Sequence, residues 1–318
     1  MSKEFRKKFL MVAVAILLCN SALLAQQLPL FSQYMMNDFY INPAIAGTKD
    51  YSPIVIGVHK QWVGMKEAPS TQTLSGHTSL YHGQMGLGGI LFHDKYGPSS
   101  EIGFKAIYAY NIFLGSRHNH MSFGLSAECY QYKLDQRNFD PTWYDDPSLT
   151  YLIEKTIIPD ASFGLYAYGT GPNNKYYASV TVANLFQSKM KVNQNIKENK
   201  MVRHYFIFGG YRFEFNKKNK KSVDFEMEPS IMIKTTELTL PQFDINLKFF
   251  IKQDYWFGVS VRPGDSFIAN VGVKYKQYYF GYAYDVTFSD LSNYTWGSQE
   301  FIFGVNIGEN ARKHRSFF

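Results

Sequence analysis

The chain has 318 residues, a formal net charge of +7 and 17% aromatic residues, mostly Tyr and Phe. The positive excess is small and spread along the chain, which argues against a nucleic-acid-binding protein. Two cysteines, Cys19 and Cys129, are too few for a disulfide-stapled extracellular scaffold. High aromatic content beside modest hydropathy is typical of membrane β-barrels, because lipid-facing and water-facing residues alternate along each strand.

Residues 1–25 have the pattern of a secretory signal peptide. A basic n-region is formed by Lys3, Arg6, Lys7 and Lys8, and small residues at 21–25 offer a cleavage site after an apolar run. The alternative is an N-terminal membrane anchor, but the run is short and interrupted by Asn20. No later run reaches 18 apolar residues, so the sequence predicts export and no membrane-spanning helix.

From residue 53 onward, apolar and polar residues alternate with a period of two. The odd-numbered residues of 243–251 are all apolar, for example, whereas Asp244, Asn246 and Lys248 are polar. Successive strand side chains point to opposite faces, so each segment has one apolar and one polar wall. Fourteen such segments are found, at 53–62, 71–82, 84–94, 100–113, 119–134, 160–169, 174–184, 203–215, 221–234, 241–252, 254–262, 266–275, 277–287 and 298–308.

The connections between these segments alternate between long and short. A soluble β-sandwich also alternates apolar and polar residues, but fourteen soluble strands would need a second sheet or protected edges. Outer-membrane barrels have an even number of strands, long outer loops and short periplasmic turns. We therefore predict one all-β domain, a transmembrane antiparallel β-barrel over 53–308, in contact with membrane lipid and lipopolysaccharide, followed by a tail at 309–318.

The polar wall of this barrel would face the lumen and carry both signs of charge. The predicted inward-facing charges are Arg212, Glu214, Asp224, Glu226, Glu228, Asp244, Lys248, Lys274, Asp285 and Glu300. A wide aqueous pore would solvate them, whereas a filled lumen would pair them with one another or with a plug. The mixture of signs favours the filled lumen.

The segment 26–52 lies between the predicted signal peptide and the first strand. It is rich in aromatic and other apolar side chains, which would form an exposed apolar patch in water. Its high aromatic content is unusual for a disordered leader. We expect it to fold into the barrel as a plug, or to pack on a periplasmic partner. The expected packing anchors are Tyr34, Phe39 and Tyr40, with Asn42 and Pro43 turning the chain towards the first strand.

The connection 135–159 is the richest in aromatic residues among the predicted outer loops. Aromatic side chains are favoured anchors in protein interfaces, so this loop is a candidate partner-binding rim. The candidate residues are Phe139, Trp143, Tyr144, Tyr151 and Leu152, with Ile157 and Ile158 behind them. A lid that packs back on the barrel is the equal alternative.

Several stretches, taken in order, resemble the PorP/SprF family of type IX secretion outer-membrane proteins. They are FSQYMMNDFYINPAIAGT, HKQWVGMKEAPSTQTLSGHTSL, MGLGGILFHDKYGPSSEIGFKAIYAYNI, IPDASFGLYAYG with YYASVTVANLF, and GYAYDVTFSDLSNYTWGSQEFIFGV. The resemblance covers almost the whole chain after the signal peptide. It implies an outer-membrane barrel that helps to export or anchor a surface protein with a C-terminal sorting domain, of the gliding or adhesin type. Other members act in the core machine and contact secretion components on the periplasmic side.

The sequence offers no sign of an enzyme, cofactor or metal site. The eight His residues are scattered, no His-Glu-x-x-His or Gly-x-Ser-x-Gly pattern occurs, and Cys129 has no metal-type companion. The glycines of GLGG at 86–89 lie in a predicted strand, where they permit close packing or a bend. A hydrolase at the lumen or rim is a remote alternative. The main alternative to the binding protein is an outer-membrane channel for small molecules.

Overall fold

The chain folds into a closed antiparallel β-barrel. The computed structural model describes residues 31–115, 118–135, 153–169, 175–189, 200–215, 225–237, 239–288 and 290–308. The fifteen described strands form one sheet in which strands adjacent in the chain pair, except that β8 and β9 both pair with β10, and β1 pairs with β15. Because β8 and β9 both pair with β10 and flank Arg212, they are two pieces of one barrel strand. The barrel therefore has fourteen strands, which confirms the predicted fold.

The strand bounds follow the predicted segments closely. The strands are β1 Ser52–Lys60, β2 Ser70–Leu80, β3 Met85–Tyr96, β4 Ser99–Phe113, β5 Asn119–Asp135, β6 Ile153–Gly169, β7 Tyr176–Ala183, β8 His204–Tyr211, β9 Phe213–Phe215, β10 Phe225–Thr236, β11 Gln242–Ile251, β12 Tyr255–Arg262, β13 Ser266–Tyr275, β14 Tyr278–Thr287 and β15 Ser298–Ile307. Short 3-10 turns also occur, at Tyr34–Met36, Asp38–Tyr40, Pro43–Ile45, Tyr81–Gly83 and Asp290–Asn293. Among the described residues, no helix is long and apolar enough to cross a membrane.

The predicted period of two separates an apolar outer wall from a polar inner wall. In β11 the buried residues alternate with exposed or half-buried apolar ones, so Asp244, Asn246 and Lys248 face inward. On the outer wall, aromatic rings of neighbouring strands stack, as in the pair Phe249 and Phe257, whose ring centroids are 4.9 Å apart. Such cross-strand aromatic pairs stabilise the sheet, and the apolar wall suits contact with lipid.

One strand boundary departs from the prediction. β6 begins at Ile153, whereas the sequence pattern placed its start at residue 160, with Pro159 as the end of a loop. Pro159 instead pairs with Cys129 inside the β5–β6 ladder. Its carbonyl accepts a hydrogen bond from Ser188 on the side away from β5, so the missing N–H removes no bond to β5. The predicted loop 135–159 is therefore wrong in extent, and at most 136–152 connects the two strands.

The two ends of the barrel differ in their connections. At one end, here called the long-loop end, lie the connections 61–69, 97–98, 136–152, 184–203, 237–241, 263–265 and 288–297. At the other, the short-turn end, lie 81–84, 114–118, 170–175, 216–224, 252–254 and 276–277. The even strand number places 31–51 and 308–318 next in sequence to strand ends at the short-turn end.

We expect the long-loop end to face the cell exterior. An epitope tag inserted in the connection 184–203 should be labelled by antibody on intact cells, and a tag in the turn 216–224 should be labelled only after the outer membrane is opened. Both tagged proteins must first show the heat-dependent gel shift of a folded barrel. Labelling of the 216–224 tag alone on intact cells would reverse this orientation.

Candidate functional site: a filled lumen

Residues 31–51, called the plug below, lie inside the barrel. Every residue of the plug is buried or half-buried except Asp50. Three 3-10 turns fold it into a compact, irregular stretch, so its backbone groups are satisfied by tight turns and by the barrel wall rather than by a regular helix. The plug belongs to the segment 26–52 that the sequence analysis placed in or under the lumen.

The plug runs along the length of the lumen. At its start, the ring of Phe31 lies 5.9 Å from the ring of His59, next to the last residue of β1 at the long-loop end. Near its finish, the backbone N–H of Gly47 donates to His77 Nδ1 over 3.2 Å, in the half of β2 that leads to the short-turn end. The chain then enters β1 at Ser52.

Two inward-facing carboxylates hold the start of the plug. Glu300 accepts the backbone N–H groups of Ser32 and Gln33, at 2.5 and 3.0 Å. The hydroxyl of Ser32 donates to the neighbouring carboxylate of Asp285. Glu300 and Ser32 are fully buried, or nearly so, and a buried N–H group left without its acceptor is costly. These contacts fix the plug backbone to β14 and β15.

Asn42 ties the middle of the plug to the opposite wall. Its side-chain amide donates to the Leu165 carbonyl at 2.8 Å and to the Ser179 hydroxyl at 2.7 Å. Its side-chain oxygen accepts the N–H of Ala44 at 2.8 Å, which caps the 3-10 turn that Pro43 begins. Asn42 has no exposed surface, so removing the side chain would leave buried polar groups without partners.

Glycines in the wall make room for the plug backbone. An ideal Cβ on Gly86, Gly124 or Gly164 would lie closer than 3.0 Å to plug atoms. At Gly86 the obstructing atoms belong to the backbone of Ala46 and Gly47, and at Gly124 to the backbone of the Pro43–Ala44 step. Backbone obstructs more firmly than a flexible side chain, so these positions require glycine as long as the plug is in place.

Aromatic plug residues fill the space between these fixed points. Tyr34 packs on Phe208 with ring centroids 6.0 Å apart, and its hydroxyl accepts a 2.6 Å hydrogen bond from Asn246. The Phe39 ring lies 4.6 Å from the ring of His77. Tyr40 is half-buried and meets Phe31 edge to face, at 5.4 Å. The structure thus places Tyr34, Phe39 and Tyr40 against the wall or within the plug itself.

The inner wall pairs most of its charges near the plug. Of the ten predicted inward-facing charges, Asp224 lies outside the described residues, Glu214 is half-buried, and the others are buried. Arg212 contacts Glu226 at 3.4 Å and also bonds Glu228. On the adjacent strands β11 and β12, Arg262 Nε donates to Asp244 at 2.8 Å. Pairing of this kind offsets the cost of burying charge, which agrees with a filled lumen.

The plug carries one ion pair of its own. Lys49 Nζ lies 3.9 Å from an Asp38 oxygen, and both side chains are largely shielded from solvent. Burial raises the pKa of the Asp38 carboxyl and lowers the pKa of the Lys49 amine, and each group partly opposes the other's shift. The pair links the second 3-10 turn to the exit of the plug.

The predicted partner-binding residues lie elsewhere. Phe139, Trp143, Tyr144, Tyr151 and Leu152 are outside the described residues. The two apolar residues behind them belong to β6, where Ile157 is 67% exposed on the outer face and Ile158 is buried on the inner face. Within the described ranges, no group of three or more His, Cys, Asp or Glu could hold a metal ion.

Sequence reasoning missed the plug-binding role of several wall residues. Asp285 and Glu300 were predicted to face inward, but their hydrogen bonds to Ser32 and Gln33 join residues more than 250 positions apart. The glycines that accommodate the plug carried a readable signal, because Gly124 and Gly164 fall on the inward-facing register of long strands. Only the run at 86–89 was interpreted as a close-packing site.

A closed fourteen-stranded barrel with an apolar outer wall and a lumen filled by its own N-terminal segment is an outer-membrane β-barrel protein. The chain also matches the family described as type IX secretion system membrane protein PorP/SprF, over residues 23–305. The chain therefore belongs to the PorP/SprF family, as the resemblance in its sequence motifs indicated. A comparison with curated proteins found no match.

Solved outer-membrane barrels are similar to the chain in architecture. The KdgM porin is 10% identical with a TM-score of 0.40, covering 81% of this chain and 99% of the porin. The translocator domain of the autotransporter NalP from Neisseria meningitidis is 7% identical with a TM-score of 0.45, covering 86% and 95%. A FadL homologue from Pseudomonas aeruginosa is 6% identical with a TM-score of 0.45, covering 83% and 91%.

Replacing Gly124 with Ala should displace the plug and destabilise the protein. The added methyl would overlap the backbone at Pro43 and Ala44, and overpacking of this kind costs about 1–3 kcal/mol. The measurement is the temperature at which the folded band disappears on an unboiled gel. Gly89→Ala is the matched control, because its Cβ would meet ordinary contacts at 3.4 Å or more. Equal transition temperatures for the two variants would contradict the account.

Replacing Asn42 with Ala should cost more than replacing it with Ser. Ala removes the cap and both bonds to the wall, a loss of about 1–3 kcal/mol, whereas Ser retains an acceptor for the Ala44 N–H. The expected order of thermal stability on the same gel is wild type, then Asn42→Ser, then Asn42→Ala. A reversed order of the two variants would show that the cap contributes little, and wild-type stability of both variants would show the same for the wall bonds.

Proposed function

We propose that this barrel binds an exported surface protein with a C-terminal sorting domain and helps to export it or anchors it at the cell surface. The protein would have a binding role in type IX secretion, of the gliding or adhesin type. It would not act as an enzyme. Membership of the PorP/SprF family supports a place in the secretion system. The observation that carries the binding role is the filled lumen.

Because the lumen is filled, the ends of the barrel are the places where a partner could bind. The plug occupies the space through which a solute would pass, and its contacts with Glu300, Asn246 and Leu165 join it to three parts of the wall. A partner would therefore meet the protein at a rim. We propose that the long-loop end faces outward and holds the exported protein. The short-turn end would face other secretion components in the periplasm.

A channel for small molecules is the second candidate function. It would need the plug to leave the lumen, and the buried bonds of Asn42 and the close fit at Gly124 oppose that movement. The same features support the binding role. The two candidates differ in what accompanies the protein on purification, because only the binding role requires a stably associated exported protein.

Changing Trp143 and Tyr144 to Ala should reduce retention of the exported partner. Aromatic interface anchors typically contribute about 2 kcal/mol or more each, so retention should fall by at least about thirtyfold. The assay is purification from native membranes, with quantification of co-purified proteins that carry the sorting domain. The heat-dependent gel shift should remain unchanged, because both residues lie in sequence between the end of β5 and the start of β6.

The matched control changes Tyr294 and Trp296 to Ala. These residues are of the same types, lie in another connection of the long-loop end and are 74% and 77% exposed. This control should retain the partner. Unchanged retention by the Trp143 and Tyr144 variant, or unfolding of its barrel, would show that the connection 136–152 is a packed lid instead.

A further inference from the structure

The β5–β6 hairpin extends further than the strand that follows it. β5 and β6 each have 17 residues, but β7 pairs with β6 only from Phe163 to Tyr168. Beyond Phe163, towards the long-loop end, β5 remains paired along one edge of β6 as far as Ile153. The opposite edge of that part of β6 has no strand partner among the described residues.

Backbone contacts show which residues present their polar groups at this edge. The Ala161 carbonyl accepts the Leu185 N–H at 2.9 Å, and the Pro159 carbonyl accepts the Ser188 hydroxyl, both on the side away from β5. In an antiparallel strand, alternate residues direct their N–H and C=O to the same side. Lys155 and Ile157 therefore present theirs at the same edge as Pro159.

The chain covers this edge only in part. After β7, the backbone N–H groups of Phe186 and Ser188 bond the Asp160 carboxylate at 3.0 and 3.3 Å. This short segment closes the edge as far as Pro159. Within the described part of the chain, no donor or acceptor meets the backbone groups of Lys155 and Ile157 on that side. An open strand edge of this kind is a template for another strand.

The open edge is held in a defined position and begins at the margin of the apolar band. Ile158 is 1% exposed and packs in a buried cluster with Phe92 and Tyr130, which supports the inner face of the hairpin. On the outer face of the hairpin, Ile157 is apolar, but Gln131 opposite it and Lys133 and Lys155 beyond it are polar. The open edge lies alongside this polar part of the hairpin, where a protein partner rather than lipid would meet it.

The charges on the hairpin favour an acidic partner. Lys133 and Lys155 lie directly opposite each other in the β5–β6 ladder, and like charges in that position are destabilising. Lys133 is 3.5 Å from Asp135. No acidic side chain among the described residues lies within ion-pair distance of Lys155, which is exposed. A carboxylate on an added strand would offset this repulsion.

We infer that the open edge of β6 binds an extended segment of the exported protein by β-strand addition. This inference rests on the proposed function. Backbone hydrogen bonds to Lys155 and Ile157 would supply affinity. An acidic residue beside Lys155 and an apolar residue beside Ile157 would supply specificity.

The test replaces Ile157 with Pro. Proline removes the N–H at the open edge and places its ring where an added strand would lie, but it leaves the bonds between β5 and β6 intact. Retention of the exported protein, identified by mass spectrometry after purification from native membranes, should fall at least about tenfold. Ile157→Val keeps the N–H and an apolar side chain, so it should retain the partner. Lys155→Glu should also weaken retention.

The outcomes separate this inference from the proposed function. If the wild-type protein retains no exported protein, the proposed function fails. If the wild type retains one and Ile157→Pro retains as much, strand addition at β6 is wrong and the function stands. A photoreactive residue at position 157 provides a second measurement that does not depend on the stability of the proline variant. Cross-linking to the exported protein supports the site, whereas cross-linking only within the chain overturns it.

Discussion

A fourteen-stranded barrel encloses more space than its own wall side chains fill, and the rest of this structure depends on how that space is occupied. Barrels of about eight strands are filled by inward-pointing side chains, and much larger ones hold water. Here the inner wall carries charges of both signs, which need water or partners. The plug, residues 31–51, takes the place of water, and buried wall charges either pair with a neighbour, as Arg212 and Asp244 do, or bind the plug, as Glu300 does.

Plug and wall are matched residue by residue. The wall has glycine where the plug backbone passes close to it, as at Gly124, and a carboxylate where plug N–H groups point at it, as at Glu300. Neither feature benefits an empty barrel, because an isolated buried carboxylate is costly and a glycine in a strand weakens it. The inner wall therefore stabilises one particular occupant, the plug.

The sequence predicted the barrel well because the lipid environment imposes a strict alternation on every strand. The start of β6 was misplaced because Pro159 indicates a loop, although its ring lies at a strand edge where no bond to β5 is lost. The plug was predicted to be buried because its aromatic residues would otherwise form an exposed apolar patch in water. Its partners could not be predicted, since Ser32 and Glu300 are 268 residues apart and no local pattern joins them.

If the plug closes the lumen, the intact barrel does not conduct ions, and single-channel recording measures this. The purified wild-type protein is reconstituted in planar bilayers beside a variant in which residues 31–47 are replaced by a Gly-Ser segment of equal length. Both must show the gel shift of a folded barrel. The wild type should show no steady conductance, and the variant should show a large, steady conductance. A wild-type conductance as large as that of the variant would contradict closure of the lumen by the plug.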